Sequence, residues 1–154
     1  MRPKLAFLYP AFVLKYTGKE ISILERNNAP FEKKLSEASD YTEAYLSDFD
    51  IVNNNYLGDE LKNQYLSYIF SCLFSDILKE NRLEADYIAG FSMGIYAALY
   101  KAGSIDFRTG LLIIKEVFYT IKDILAGKDF SMASVIGFSK EEIREANLYV
   151  TGTM

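Results

Sequence analysis

Between Asp59 and Asn81 the chain is apolar on nearly every side, with Leu61, Tyr65, Leu66, Ile69, Phe70, Leu73, Phe74, Ile77 and Leu78 recurring at three- and four-residue intervals. That spacing predicts a helix, and a helix without a polar face has to sit inside the molecule with the rest of the chain around it. The run from Leu66 to Leu78 is broken by Ser67, Ser71, Ser75 and Asp76, so it stays short of the roughly 18 to 20 apolar residues a spanning helix needs. With 154 residues, 50% hydrophobic and 25% charged, the chain holds enough apolar material for one domain with a real core.

The segments around that helix alternate in type. Lys4 to Tyr9 reads as a short strand apolar on both faces, as in a parallel sheet covered by helices, and Pro10 ends it. Residues 19–46 carry helical spacing interrupted at Asn27-Asn28-Ala29-Pro30, which predicts two short surface helices around a turn, and 47–58 read as loop. Residues 85–90 form a second strand, Ser92 to Ala102 a helix closed by Gly103, and Phe107 to Leu125 a helix capped by Asp106 and ended by Ala126-Gly127. A strand over Ser131 to Phe138, a helix from Lys140 to about Ala146 behind the capping box Ser139…Glu142, and a strand beginning at Leu148 complete the pattern. Strand and helix in alternation point to an α/β fold, a parallel sheet with flanking helices.

Composition narrows the chemistry. A net charge of -4 leaves no basic face for a nucleic-acid backbone or an anionic membrane, so a neutral or mixed-charge partner is expected. The single cysteine, Cys72, lies in an apolar run and has no intramolecular partner, which favours a reducing compartment. Leu5 to Leu14 follows Arg2 and Lys4 as a signal peptide would, but Pro10 interrupts it and no small-x-small cleavage site follows, so a cytoplasmic location is expected. The chain has no histidine, the side chain best suited to proton transfer near neutral pH, and with one cysteine no zinc site is expected. The 12 tyrosines and 11 phenylalanines fall mostly at helical spacing and read as core, while Asp123, Asp129, Glu141 and Glu142 read as solvated carboxylates.

Gly90-Phe91-Ser92-Met93-Gly94 matches G-x-S-x-G between a predicted strand and a predicted helix. Glycines there permit a sharp turn that exposes the serine oxygen, and the first-turn N–H groups of the helix can stabilise negative charge. The same residues would also serve a plain βα turn with Ser92 as a helix cap, and the pattern alone leaves both readings open.

The longer run Gly90-Phe91-Ser92-Met93-Gly94-Ile95-Tyr96-Ala97-Ala98-Leu99, continuing through Lys101-Ala102-Gly103-Ser104-Ile105-Asp106-Phe107, resembles the G-H-S-x-G-E-Y-A-A-L…A-G-x-I-x-F segment of malonyl-CoA:acyl-carrier-protein transacylases and polyketide-synthase acyltransferase domains. Lys4 to Pro10 resembles the family's opening strand, Asn63-Gln64 stands where the family has T-Q-P, and Ser131 to Glu142 resembles the opening of its small ferredoxin-like subdomain. The resemblance thus covers the family's amino-terminal half. It implies a partial acyltransferase-like large subdomain over residues 1–128 and the beginning of a ferredoxin-like subdomain over 129–154.

What the resemblance implies for function is transfer of a malonyl or related acyl group from coenzyme A to acyl carrier protein through an acyl-serine, as in fatty acid or polyketide biosynthesis. Acyl-CoA would be a substrate and no cofactor would be bound permanently. Ser92 would be the nucleophile, the Met93 backbone N–H an oxyanion donor, and Gln64 a pocket-lining polar residue. Lys115 falls where the family places an arginine that clamps the malonyl carboxylate, keeping the charge without the bidentate fork. Phe12 lies within Ala11-Phe12-Val13, in place of the family's G-Q-G loop, Phe91 replaces the histidine beside the serine, and Ile95 replaces a glutamate. The family's general-base histidine lies in its carboxy-terminal half, so a second chain or a missing carboxy-terminal half is the expected source of the base. Two further readings stand beside this one. One is a degenerate domain that binds an acyl carrier protein or pantetheine group without turnover, the other a serine esterase of related α/β fold; a patatin-like serine–aspartate dyad lacks its glycine-rich loop and Asp-Gly pair here.

Overall fold

The computed structural model describes residues 3–12, 15–51, 53, 56, 58–128, 137, 139–142, 144 and 145. The chain divides into two compact units, Met1–Asp123 and Ile124–Met154. Strand β1 (Ala6–Tyr9) opens the chain, followed by helices α1 (Lys19–Arg26), α2 (Phe31–Thr42) and α3 (Glu60–Glu80), strand β2 (Tyr87–Gly90), and helices α4 (Gly94–Lys101) and α5 (Phe107–Leu125).

Helix α3 is the centre of the first unit. Every residue from Asn63 to Phe70 is buried, which only a helix enclosed on all sides can show. The Asp59 side chain accepts the Lys62 backbone N–H at 3.0 Å and starts the helix. Its end is a Schellman motif with Arg82 in the left-handed region (φ 58°), the Leu83 N–H reaching the Leu78 carbonyl at 2.9 Å. Leu66, Ile69 and Leu73 are at most 1% exposed, and each such side chain contributes about 1.5–3 kcal/mol relative to exposure, so this helix carries much of the core's stability. Helices α1 and α2 lay Leu24, Leu35 and Ala38 against it, and Phe31 stacks on Phe70 at 5.0 Å. The two surface helices around residues 27–30 are therefore as expected, with Asn28 in a left-handed turn (φ 51°) between them.

The described sheet has two strands, β1 and β2, paired in parallel with Ala6 opposite Tyr87 and Tyr9 opposite Gly90. Tyr9 turns inward, its hydroxyl sharing a 2.7 Å hydrogen bond with that of Ser75 on α3. The other face departs from expectation. Lys4 to Tyr9 was expected to be covered on both sides, yet Leu8 is 77% and Tyr87 56% exposed, because the described helices lie on one side of the strands only. A continuous apolar run reports what a strand could bury, not what is docked there.

Helix α4 is fastened at both ends. At its start the Phe91 N–H donates to the Tyr9 carbonyl at 2.9 Å. At its end the Tyr100 hydroxyl donates to both Asp76 oxygens at 2.9 and 3.0 Å, and Lys101 Nζ to the Ser75 carbonyl at 3.4 Å. Gly103 (φ 72°) then closes it in a second Schellman motif. Helix α5 begins as expected at Asp106, whose Oδ1 accepts the Thr109 N–H at 2.7 Å. The Tyr68 ring stacks on Phe107 at 5.7 Å and lies directly over Gly110, where a Cβ would strike the tyrosine hydroxyl.

In the second unit the capping box is present in both directions, Glu142 N–H to Ser139 Oγ at 3.3 Å and Ser139 N–H to Glu142 Oε2 at 2.7 Å. The strands expected over 131–138 and from Leu148 lie outside the described residues, apart from Gly137. No helix among the described residues is long and apolar enough to cross a membrane.

Candidate functional site

Strand β2 ends at Gly90 and α4 begins at Gly94, leaving Phe91, Ser92 and Met93 to make the whole turn. A Cβ on Gly90 would collide with the Gly94 and Ile95 backbone, and one on Gly94 with the Tyr9 and Pro10 carbonyls. Both glycines are therefore demanded by close backbone approach rather than by flexibility. The turn holds Ser92 in the left-handed region at φ 51°, a conformation that costs a residue with a Cβ about 1 kcal/mol. Ser92 is exposed, and its hydroxyl makes no capping bond: α4 has no side-chain cap. The plain helix-cap reading of the motif thus finds no hydrogen bond to rest on. The backbone N–H of Met93 has no partner among the described residues and opens the positive end of α4.

Beside the turn lies a small cleft of about 10 Å³, lined by Pro10, Gln64, Tyr68, Met93, Gly94 and Ile114 and by the serines of α3, Ser67 and Ser71. Two of the residues singled out in the sequence, Gln64 and Met93, meet there. Gln64 is 8% exposed and donates through Nε2 to Glu60 Oε1 at 3.3 Å. Lys115 is not among the described lining residues; its Nζ pairs with Glu43 Oε2 at 3.2 Å, Glu43 standing in a left-handed position (φ 59°) at the end of α2. Phe12 and Phe91 are 39% and 76% exposed, and Val13 lies outside the described residues.

Tyr68, Ser67, Ser71 and Ile114 were not singled out in the sequence. The serines at 67, 71 and 75 repeat every four residues, one stripe down α3, and that period was the available signal. A second, larger groove of about 320 Å³ runs between β1 and α3, walled by Phe7, Tyr16, Phe70, Phe74 and Leu78. There the Tyr16 hydroxyl donates to Asn63 Oδ1 at 3.0 Å, and burial pushes its pKa up to about 12. Burial likewise pushes the Cys72 thiol well above its ordinary value. No group of three or more metal-ligating side chains occurs among the described residues.

No protein-family model matches the chain. Individual relatives do. A malonyl CoA-acyl carrier protein transacylase of Synechocystis sp. is 33% identical over 79 residues, which is 51% of this chain and 26% of the relative. The polyketide biosynthesis malonyl CoA-acyl carrier protein transacylase BaeC of Bacillus velezensis is 30% identical over 118 residues, 74% of this chain and 39% of the relative. Among solved structures, a type II polyketide-synthase acyl-carrier protein in complex with its malonyl-transacylase, PlMCAT:AntF, matches with a TM-score of 0.73 over 97% of this chain and 48% of that one; at 19% identity it speaks to the fold. In each of these the chain spans less than half of the relative's length. In sequence and in fold, the chain is similar to malonyl-CoA:acyl-carrier-protein transacylases over most of its own length and a minor part of theirs.

Proposed function

We propose that this chain carries the nucleophile of an acyltransferase that moves a malonyl or related acyl group from coenzyme A to the phosphopantetheine thiol of an acyl carrier protein. The observation that carries the reading is Ser92 itself: an exposed serine at φ 51°, on a turn whose two glycines admit no Cβ. In the first half-reaction Ser92 Oγ attacks the thioester carbonyl carbon, the Met93 N–H faces the developing oxyanion, and the carbon–sulfur bond breaks to release coenzyme A, which takes up the serine proton. In the second the carrier thiol attacks the acyl-serine and the proton returns to Ser92. No permanently bound cofactor is needed, acyl-CoA being consumed as substrate, and the chain works in the cytoplasm. On the same reading residues 1–128 belong to a large subdomain and 129–154 open a small one.

The proton acceptor is the outstanding requirement. The chain has no histidine, and no described side chain bonds the Ser92 hydroxyl. Removing the base from such a site costs on the order of 10³- to 10⁶-fold in rate, so full activity calls for a base supplied by another polypeptide segment. The pairing of Lys115 with Glu43 supports a second reading, a domain that binds the carrier or pantetheine without turnover.

Intact-mass spectrometry after incubation with malonyl-CoA and acetyl-CoA, with Ser92→Ala alongside, separates the two. A stoichiometric adduct on the wild type alone establishes the nucleophile, an adduct that persists in Ser92→Ala refutes it, and a folded chain that takes no adduct favours the binding domain or an enzyme whose base lies on another segment. Turnover of simple esters without a carrier protein would mark an esterase instead.

A further inference from the structure

The larger groove, of about 320 Å³, follows one edge of strand β1, where Ala6, Phe7, Leu8, Tyr9 and Pro10 line it in unbroken succession. Neighbouring strand residues point to opposite faces of a sheet, so a cavity that touches them all lies along the strand's side and not over one face. The ladder tells which side. The Leu5 and Tyr9 carbonyls accept the Tyr87 and Phe91 N–H groups at 3.2 and 2.9 Å, so the odd-numbered residues of β1 turn their backbone groups to β2. Backbone groups alternate in direction along a strand, and Ala6 and Leu8 therefore turn theirs to the opposite edge, the one the groove follows.

Across the groove stands α3, with Phe70, Phe74 and Leu78 on its near side. The hydroxyls there are already engaged. Tyr16 donates to Asn63 Oδ1 at 3.0 Å and pairs with Ser67 Oγ at 3.3 Å. Ser75 Oγ donates to the Ser71 carbonyl at 2.7 Å and shares a bond of the same length with the Tyr9 hydroxyl. The groove thus offers a rail of backbone donors and acceptors on one side and an apolar floor on the other. An aliphatic chain matches the floor alone. An extended polypeptide matches both, its backbone pairing with Ala6 and Leu8 and every second side chain packing on α3.

We propose that this groove takes a strand from another polypeptide segment, added edge-on to β1 and carrying apolar residues at alternate positions. At about 3.3 Å per residue, the stretch from Ala6 to Pro10 accommodates a strand of about 16 Å. The fold comparison supplies a reason to expect a polypeptide there: the PlMCAT match takes in 97% of this chain and 48% of that one, so the related fold holds about as much chain again outside the match. Pro10, Ser67 and Ser71 line both this groove and the cleft beside the elbow, and the added strand therefore has one end beside the serine turn. Where the acyl-transfer reading holds, that end is the place for the base it requires; the docking itself does not rest on that reading.

Selection of short random peptides displayed against the full chain tests the proposal. The selected peptides are expected to carry apolar residues at every second position, to lack proline, and to slow hydrogen exchange at the Ala6 and Leu8 amides while leaving those of Phe7 and Tyr9 unchanged. N-methylation of a selected peptide at alternate positions is expected to cost at least about tenfold in affinity in one register and little in the other. Leu8→Pro, which removes a donor from the rail and leaves the bonds to β2 in place, is expected to cost as much. Peptides with helical spacing, a folded chain that selects none, or binding indifferent to N-methylation overturns the proposal. So does another occupant: dodecanoate shifting the Phe74 ring resonances where no peptide binds, or self-association in sedimentation that protects the Ala6 and Leu8 amides. Peptide binding is expected to be the same in Ser92→Ala, so the loss of either claim leaves the other standing.

Discussion

Replacing Gly94 with alanine puts the proposed geometry of the elbow to a quantitative test. In an ordinary helix the change stabilises by up to about 1 kcal/mol. Here the new methyl would land on the carbonyl oxygens of Tyr9 and Pro10 and on the Tyr9 carbonyl carbon, and backbone cannot rotate out of the way as a side chain can. The end of β1 also cannot withdraw freely, since the Tyr9 carbonyl accepts the Phe91 N–H at 2.9 Å. Overpacking of this kind costs about 1–3 kcal/mol, and a lost backbone hydrogen bond about 1 more. Against the helical gain, the net is a destabilisation of about 1–3 kcal/mol. With a urea dependence of about 2 kcal/mol per molar, the midpoint falls by about 1 M. Circular dichroism at 222 nm, a standard helix signal, reads it against Gly58→Ala, where the added methyl meets nothing within 4 Å and the midpoint should hold or rise. A Gly94→Ala chain as stable as wild type would refute the argument that α4 is pressed against the end of β1.

Further outcomes follow from the same description. Ser92→Gly relieves the left-handed backbone and should stabilise the fold by about 0.5–1 kcal/mol while abolishing any acyl adduct, a gain Ser92→Ala should not share. Asp106 has its pKa lowered chiefly by the Thr109 backbone N–H; because the native value is the depressed one, its contribution is complete above the ordinary aspartate range and fades as pH falls through that lowered value, which the Thr109 amide shift in an NMR titration should track. Cys72 is buried with its thiol held protonated, so a thiol reagent at pH 8 should label the unfolded chain and leave the native one unmodified for as long as it stays folded.

The parts legible in the sequence are those set by short-range chemistry. Helix α3 announced itself because apolar residues recur at three- and four-residue intervals from Leu61 to Leu78, and the start of α5 because Asp106 faces an N–H three residues on. The elbow was legible for a related reason, since the glycines answer a collision between segments meeting at one turn. The strands were less so: β1 and β2 are shorter than the apolar runs that contain them, and nothing in Leu8 or Tyr87 declares what lies against them. The partner of Lys115 lies 72 positions away at a helix end, a distance at which spacing carries no information. Ser67 and Ser71 looked like interruptions of an apolar run and instead face the cleft.

The two-ended fastening of α4 has a consequence for its motion. A helix of 8 residues would by itself fray continuously. This one is pinned by Tyr9 at its entry and by Asp76 and the Ser75 carbonyl at its exit, and two of those three anchors belong to α3. The amide hydrogens of Ala97 to Lys101 are therefore bound to the opening of the central helix and should exchange with solvent on its timescale. The serine turn is as durable as the core it is bolted to.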